Sequence, residues 1–124
     1  MTSRSESHGT ETGAILLTGA SGLLGGEMLE RLLERTDRHV YAIVRRPLEV
    51  EHDRLSLITA DLSADEALPA IPTDVTTVIH CAASVSFVLP IDEQRAINVE
   101  GTRRLLDAAA KLPNLERFMH VSTA

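Results

Sequence analysis

The chain has 124 residues, 44% of them hydrophobic and 24% charged, and carries a net charge of −6. That is one ordinary globular domain, too apolar for wholesale disorder. It is too acidic to give nucleic acid a basic footprint, and with no Trp, one Tyr and two Phe it has few stacking platforms for bases.

A single cysteine excludes an internal disulfide framework and a multi-thiolate zinc site, and the five histidines form no ligand cluster by spacing, so no metal is expected. Residues 1–13, rich in Ser, Thr, Glu and Gly, read as a disordered leader rather than a secretory signal, which needs an apolar core. No run approaches the ~20 apolar residues of a membrane span. The expected location is the cytoplasm.

Order begins at Ala14. Residues 14–18, Ala-Ile-Leu-Leu-Thr, form a short apolar run ended by Gly19, the pattern of a buried strand. From Gly22 to about Thr36 the period changes to that of a helix. Leu24, Met28, Leu32 and Leu29, Leu33 mark its apolar side; Glu27, Glu30, Arg31, Glu34 and Arg35 mark its outer side. Residues 39–44 and 55–60 are further strands, and a helical turn is expected near 65–68 between polar links. Residues 75–80 make a fourth strand that runs into Cys81, Ala82 and Ala83. A long helix follows from Asp92 to about Leu112, with Ile97, Gly101, Leu105, Leu106 and Ala109 as its packed face and Pro113-Asn114 as its stop. Residues 117–122 are the fifth strand. Alternating strands and helices, with strands apolar throughout, predict an α/β fold: a Rossmann-like doubly wound parallel sheet, truncated after about five strands, over residues 14–124.

Between the first strand and the first helix lies Thr18-Gly19-Ala20-Ser21-Gly22-Leu23-Leu24-Gly25. In a doubly wound fold this turn binds a dinucleotide. The first glycine permits the tight turn, the second lets backbone approach a pyrophosphate, and the third lets helix and strand pack closely. The helix N-terminus then offers free N–H groups to phosphate. A glycine-rich turn without a ligand is the alternative, but strand before and helix after favour the nucleotide. It is not a P-loop, since no Lys-Ser/Thr pair follows the glycines.

The second strand ends in Arg45-Arg46, with no acid until Glu49. An acid there would bond the ribose 2′-hydroxyl of NAD; an arginine fork suits the 2′-phosphate of NADP. NADP(H) is therefore expected over NAD(H), the alternative being two solvated surface arginines. His80 and Cys81 are adjacent in a strand and must point to opposite faces, so they cannot act on one substrate atom. Both are read as core or cleft lining.

The spacing Thr-Gly-x-x-Gly-x-x-Gly resembles the short-chain dehydrogenase/reductase superfamily, its extended branch in particular, over residues 14–124. The resemblance implies that Asp61 and Leu62 lie beside the adenine, although by chemistry alone Asp61 could equally cap a turn or short helix. It implies that the Cys81-Ala82-Ala83 segment lies against the cofactor. It also implies that Asn98, in the Asn-Val-x-Gly-Thr pattern, hydrogen-bonds toward strand backbone near the active site. The glycine of that pattern, Gly101, costs the helix ~1 kcal/mol relative to Ala, which close packing of the helix on the sheet would offset. Thr123, with Ser122 beside it, resembles the residue whose hydroxyl holds the substrate carbonyl.

The Ser-Thr-Ala ending and the upstream His-Cys-Ala-Ala-Ser-Val-Ser-Phe run are similar to thioester reductases and fatty acyl-CoA reductases, which use NADPH on acyl thioesters. That family also needs a Tyr-x-x-x-Lys motif. The only Tyr is Tyr41, in the second strand, and the only Lys is Lys111, so the proton-donating step is unprovided. The expectation is the cofactor-binding front part of a longer reductase, inactive alone, with an acyl thioester as substrate at full length. Two alternatives stay open: a sugar-nucleotide epimerase/dehydratase fragment, and a non-catalytic NADP-binding sensor. Oligomeric state is not legible.

Overall fold

The computed structural model describes residues 13–20, 22–62, 68–81 and 91–121. Its elements run β1 (Ala14–Thr18), α1 (Leu23–Arg35), β2 (Val40–Val44), β3 (Leu55–Thr59), β4 (Val75–Cys81), α2 (Ile91–Ala110) and β5 (Arg117–Val121). The strands form one sheet in the order β3-β2-β1-β4-β5. Every pair is parallel. The order reverses direction at β1, so the crevice beyond the carboxyl ends of β1 and β4 is the topological switch point where such sheets take ligands.

Alternation along each strand splits the core into two layers. Ile15 and Leu17 join Leu29 of α1, with Val40, Ala42, Val44, Ile79 and Cys81. Ala14 and Leu16 join Leu105 and Ala109 of α2, with Ile43, Val75 and Val78. Val75 and Val78 are three apart yet share a face. The register on β1 advances by one residue from Ala14 to Ile15 while β4 advances from Val75 to Thr77, so Thr76 is a bulge.

The sequence implied strands buried on both faces. That holds for β1 and β4, and for β2 except the half-buried Tyr41, while β3 and β5 are half-exposed because they edge the sheet among the described residues. Leu106, placed on the packed face of α2, is instead 45% exposed; Gly101, Leu105 and Ala109, each four apart, make that face. The turn expected near 65–68 lies outside the described residues except for Leu68. On α1 the Glu27–Arg31 pair meets at 3.9 Å across an exposed turn and adds a few tenths of a kcal/mol, about 0.3.

The amino ends of the strands are held by Arg38, which sequence reasoning missed. Its Nε donates to the Gly13 carbonyl at 2.8 Å, and its Nη2 donates to the Thr76 and Thr77 hydroxyls at 2.9 and 2.8 Å. Gly13 adopts φ +87°, and a Cβ there would lie 2.4 Å from Thr76 Cγ2. The clamp is therefore built around the bulge, and no local pattern announces a bulge.

Candidate functional site

The turn after β1 opens at the carboxyl end of the sheet. Gly19 has φ +76°, and a Cβ on it would sit 2.7 Å from the Cys81 carbonyl oxygen. Gly22 N–H donates to the Gly19 carbonyl at 3.0 Å, and Gly26 N–H to the Gly22 carbonyl at 2.8 Å, which carries the turn into α1. A Cβ on Gly25 would fall 1.8 Å from the Gly19 oxygen and 2.4 Å from its carbonyl carbon. Gly19 and Gly25 are thus demanded by the chain's own packing: the first by backbone conformation and the β4 end, the second by the approach of α1 to the turn.

Gly22 is different. It is exposed, its φ and ψ of −83° and 173° suit any residue, and an added Cβ would meet only the Gly19 oxygen at 3.4 Å. Nothing in the fold among the described residues requires a glycine there. Gly22 is also the N-cap of α1, where no side chain caps the helix and no acid occupies the first turn. The first N–H groups of α1 therefore face the crevice without a side-chain acceptor from the cap.

Thr18 is fully buried, and its Oγ1 lies 2.6 Å from His80 Nδ1. The other ring nitrogen, Nε2, lies 2.9 Å from Thr102 Oγ1 on α2. His120 stacks on the same ring, centroids 5.1 Å apart and planes 17° from parallel. Burial first, then the neighbouring His120, pushes His80 down to about 4, so the ring is neutral at neutral pH. Cys81 points the other way, into the α1 layer, and burial raises its thiol. Both residues are buried, in keeping with the reading of the pair as core or cleft lining. No three metal-ligating side chains gather among the described residues.

Arg45 and Arg46 follow β2 directly and are both exposed at the carboxyl end of the sheet. Asp61 and Leu62 follow β3 at the same end and are half-buried. The Leu62 carbonyl is fixed from two sides: Arg104 Nη2 donates to it, and a Cβ on Gly101 would stand 3.0 Å from its oxygen. The missing side chain of Gly101 therefore serves contact with the loop after β3, where the sequence reading had placed it against the sheet. That contact depends on how α2 crosses over, which the helix pattern does not encode. Ser21, Ala82, Ala83, Ser122 and Thr123 lie outside the described residues, as do the side chains of Leu23 and Asn98. Leu23 opens α1, Leu24 follows it half-buried, and Asn98 lies on α2. A concavity of about 280 Å³ runs along the flank of α1, lined by Gly26, Leu29, Leu33, Val50 and His52.

A family model described as the NAD dependent epimerase/dehydratase family matches residues 15–124. The chain belongs to that family. The extended-branch resemblance drawn from the glycine spacing is thereby confirmed. Among curated proteins it is similar to fatty acyl-CoA reductase 1 of Mus musculus, 35% identical, and fatty acyl-CoA reductase 2 of Mus musculus, 31% identical. These matches take in 89% and 90% of this chain and 28% of each relative, so the chain spans under a third of the reductases it matches. Among solved structures it is similar to the terminal R domain from the myxalamid PKS-NRPS biosynthetic pathway, at a TM-score of 0.70 and 28% identity, over 90% of this chain and 35% of that one. The Bordetella bronchiseptica enzyme WbmF, in complex with NAD+, shares the fold at a TM-score of 0.71 and 17% identity, over 88% and 36%. A nicotinamide dinucleotide is the cofactor class that the family description and the WbmF complex support. No helix among the described residues is long and apolar enough to cross a membrane.

Proposed function

We propose that this chain is the cofactor-binding part of an NADP(H)-dependent reductase of acyl thioesters. The observation that carries the reading is Gly22: an exposed glycine that the fold does not need, at an uncapped helix N-terminus, in a turn whose other two glycines the fold does need. A pyrophosphate lying against it supplies the missing reason, with the turn's main-chain N–H groups as donors. When bound, the nicotinamide supplies or accepts hydride.

Around that anchor, Arg45 and Arg46 present two cations beyond the end of β2, where NADP carries its extra phosphate. In this reading Asp61, beyond the end of β3, accepts from the adenine amine, with Leu62 beside it. Thr18, Ser21, Leu23, Leu24, Gly25, Cys81, Ala82, Ala83 and Asn98 complete the cofactor side, and Ser122 and Thr123 the substrate side. The thioester substrate is supported by the fatty acyl-CoA reductases and the R domain to which the chain is similar.

Tyr41 cannot serve as the proton donor: it lies within β2, and its hydroxyl donates to Asp74 Oδ2 at 3.2 Å. The 124-residue chain should therefore bind dinucleotide without turnover. The test is the product of the whole reading frame, given NADPH and a long-chain acyl-CoA. Acyl-dependent loss of NADPH with formation of aldehyde or alcohol supports the proposal. Turnover of a UDP-sugar with no acyl-dependent oxidation refutes it.

A further inference from the structure

We propose that His80 is a positioning residue, a ring packed between β1, β5 and α2 that holds the glycine turn through Thr18 and so keeps the pyrophosphate end of the dinucleotide crevice in shape. This rests on the reading of the crevice as a dinucleotide site. Thr18 and His80 are direct neighbours across β1 and β4, and His80 and His120 across β4 and β5. The row Thr18, His80, His120 is the last on the α2 side of these strands before the crevice. Apolar side chains fill the rows beneath it, Leu16 and Val78 among them.

Each hydrogen bond of His80 reaches a threonine that adjoins a structurally demanded glycine. Thr18 precedes Gly19, which abuts the Cys81 carbonyl. Thr102 follows Gly101, which abuts the Leu62 carbonyl. One ring thus references three segments to each other: the turn after β1, the loop after β3 and the end of β4. These are the segments proposed above to lie against the cofactor, the first at its pyrophosphate and the second at its adenine. A neutral imidazole has one donor and one acceptor nitrogen, and two threonine hydroxyls satisfy both. A leucine or phenylalanine at the same place would fill the volume and leave both hydroxyls, one of them fully buried, without this partner. The pairing is what a polar ring adds to a core that already packs.

The consequence is directional. The turn's N–H groups grip a pyrophosphate only if their geometry is set in advance, because ordering them at the moment of binding subtracts from affinity. His80 acts on the ligand through Thr18 and touches none of it.

Two conservative variants of the full 124-residue chain separate positioning from packing. His80→Asn places an amide near the Nδ1 position and keeps the Thr18 bond. His80→Gln places it near the Nε2 position and keeps the Thr102 bond alone. NADPH is titrated calorimetrically into each, with circular dichroism melts alongside. The expected result is binding within about twofold of the parent for His80→Asn and about tenfold weaker for His80→Gln, one buried hydrogen bond's worth. Thr18→Val, which removes the same bond from its other end with no change of shape, should match His80→Gln and serves if a histidine variant fails to fold. Equal NADPH binding by the Asn and Gln variants, whether tight or weak, overturns the proposal, and so does parental binding by Thr18→Val. Failure of the parent chain to bind NADPH overturns instead the dinucleotide reading beneath it.

Discussion

Replacing Gly22 by Ala separates what the fold needs from what a ligand needs. The position has φ −83° and ψ 173°, which alanine adopts freely, and the new Cβ meets only the Gly19 oxygen at the ordinary distance of 3.4 Å. Losing glycine stiffens the unfolded chain and stabilises by about 0.4–1 kcal/mol. Alanine is a poorer N-cap than glycine and costs a similar amount. The two offset, so stability should stay within about 0.5 kcal/mol of the parent. Binding should not. A methyl group on the surface where the pyrophosphate lies forces a displacement on the order of 1 Å, enough for about a hundredfold loss. Gly25→Ala is the contrast: its Cβ overlaps the Gly19 backbone, so α1 or the turn must move by roughly 1 Å. It should lose binding and about 1–3 kcal/mol of stability together. Gly26→Ala completes the series, with only an ordinary 3.4 Å contact to the Ala20 oxygen. It should gain up to about 1 kcal/mol of helix propensity and bind as the parent does. Urea unfolding and calorimetric NADPH titration of the three variants read both quantities. Unchanged NADPH affinity in a folded Gly22→Ala chain refutes the reasoning, because Gly22, the one glycine of the Gly-x-x-Gly-x-x-Gly turn without a structural cause, would then have no ligand cause either.

Arg45→Ala should raise the NADPH dissociation constant about 10–100-fold, the worth of a charge-assisted bond to phosphate, and leave the NADH constant within about threefold; equal effects on the two cofactors would remove the basis for an NADP preference. Arg38→Ala breaks three hydrogen bonds at the amino ends of β1 and β4 and should cost about 2–4 kcal/mol in urea unfolding. It should leave NADPH affinity unchanged, since the clamp and the crevice lie at opposite ends of the strands; a parallel loss of affinity would contradict that separation. His80, held at about 4 against an ordinary 6.5, ties stability to pH. Between those values the unfolded chain takes up a proton that the folded chain refuses, so its contribution is complete above about pH 6.5 and falls away as pH drops toward 4. The loss is of the order of 3 kcal/mol at most. His80→Asn should remove that part of the decline, and an unchanged profile in the variant would place the titration elsewhere.

The sheet was readable because its strands are short apolar runs punctuated by Gly19, Pro47 and Pro113, and parallel α/β folds write their crossovers as helix-period segments. The glycine turn was readable because its spacing and its setting agree, and Gly25 proved to have the packing role assigned to it. What escaped depends on register and crossover. The bulge at Thr76 is invisible in a run of β-formers, and Arg38, which exploits it, looks like any charged residue in a short connection. Gly101 was recognised as needing a close neighbour, but the neighbour is the Leu62 carbonyl, brought there by the path of α2. His80 reads from the sequence as core or cleft lining and is buried, yet its two threonine partners are 62 and 22 residues away, a separation over which sequence pattern carries no signal.

Calorimetric titration of the folded 124-residue chain with NADPH, and in parallel with NADH, bears most directly on the central claim. Saturable one-to-one binding, tighter for NADPH, is the predicted result. A chain that is folded by circular dichroism and takes up neither cofactor would contradict the account.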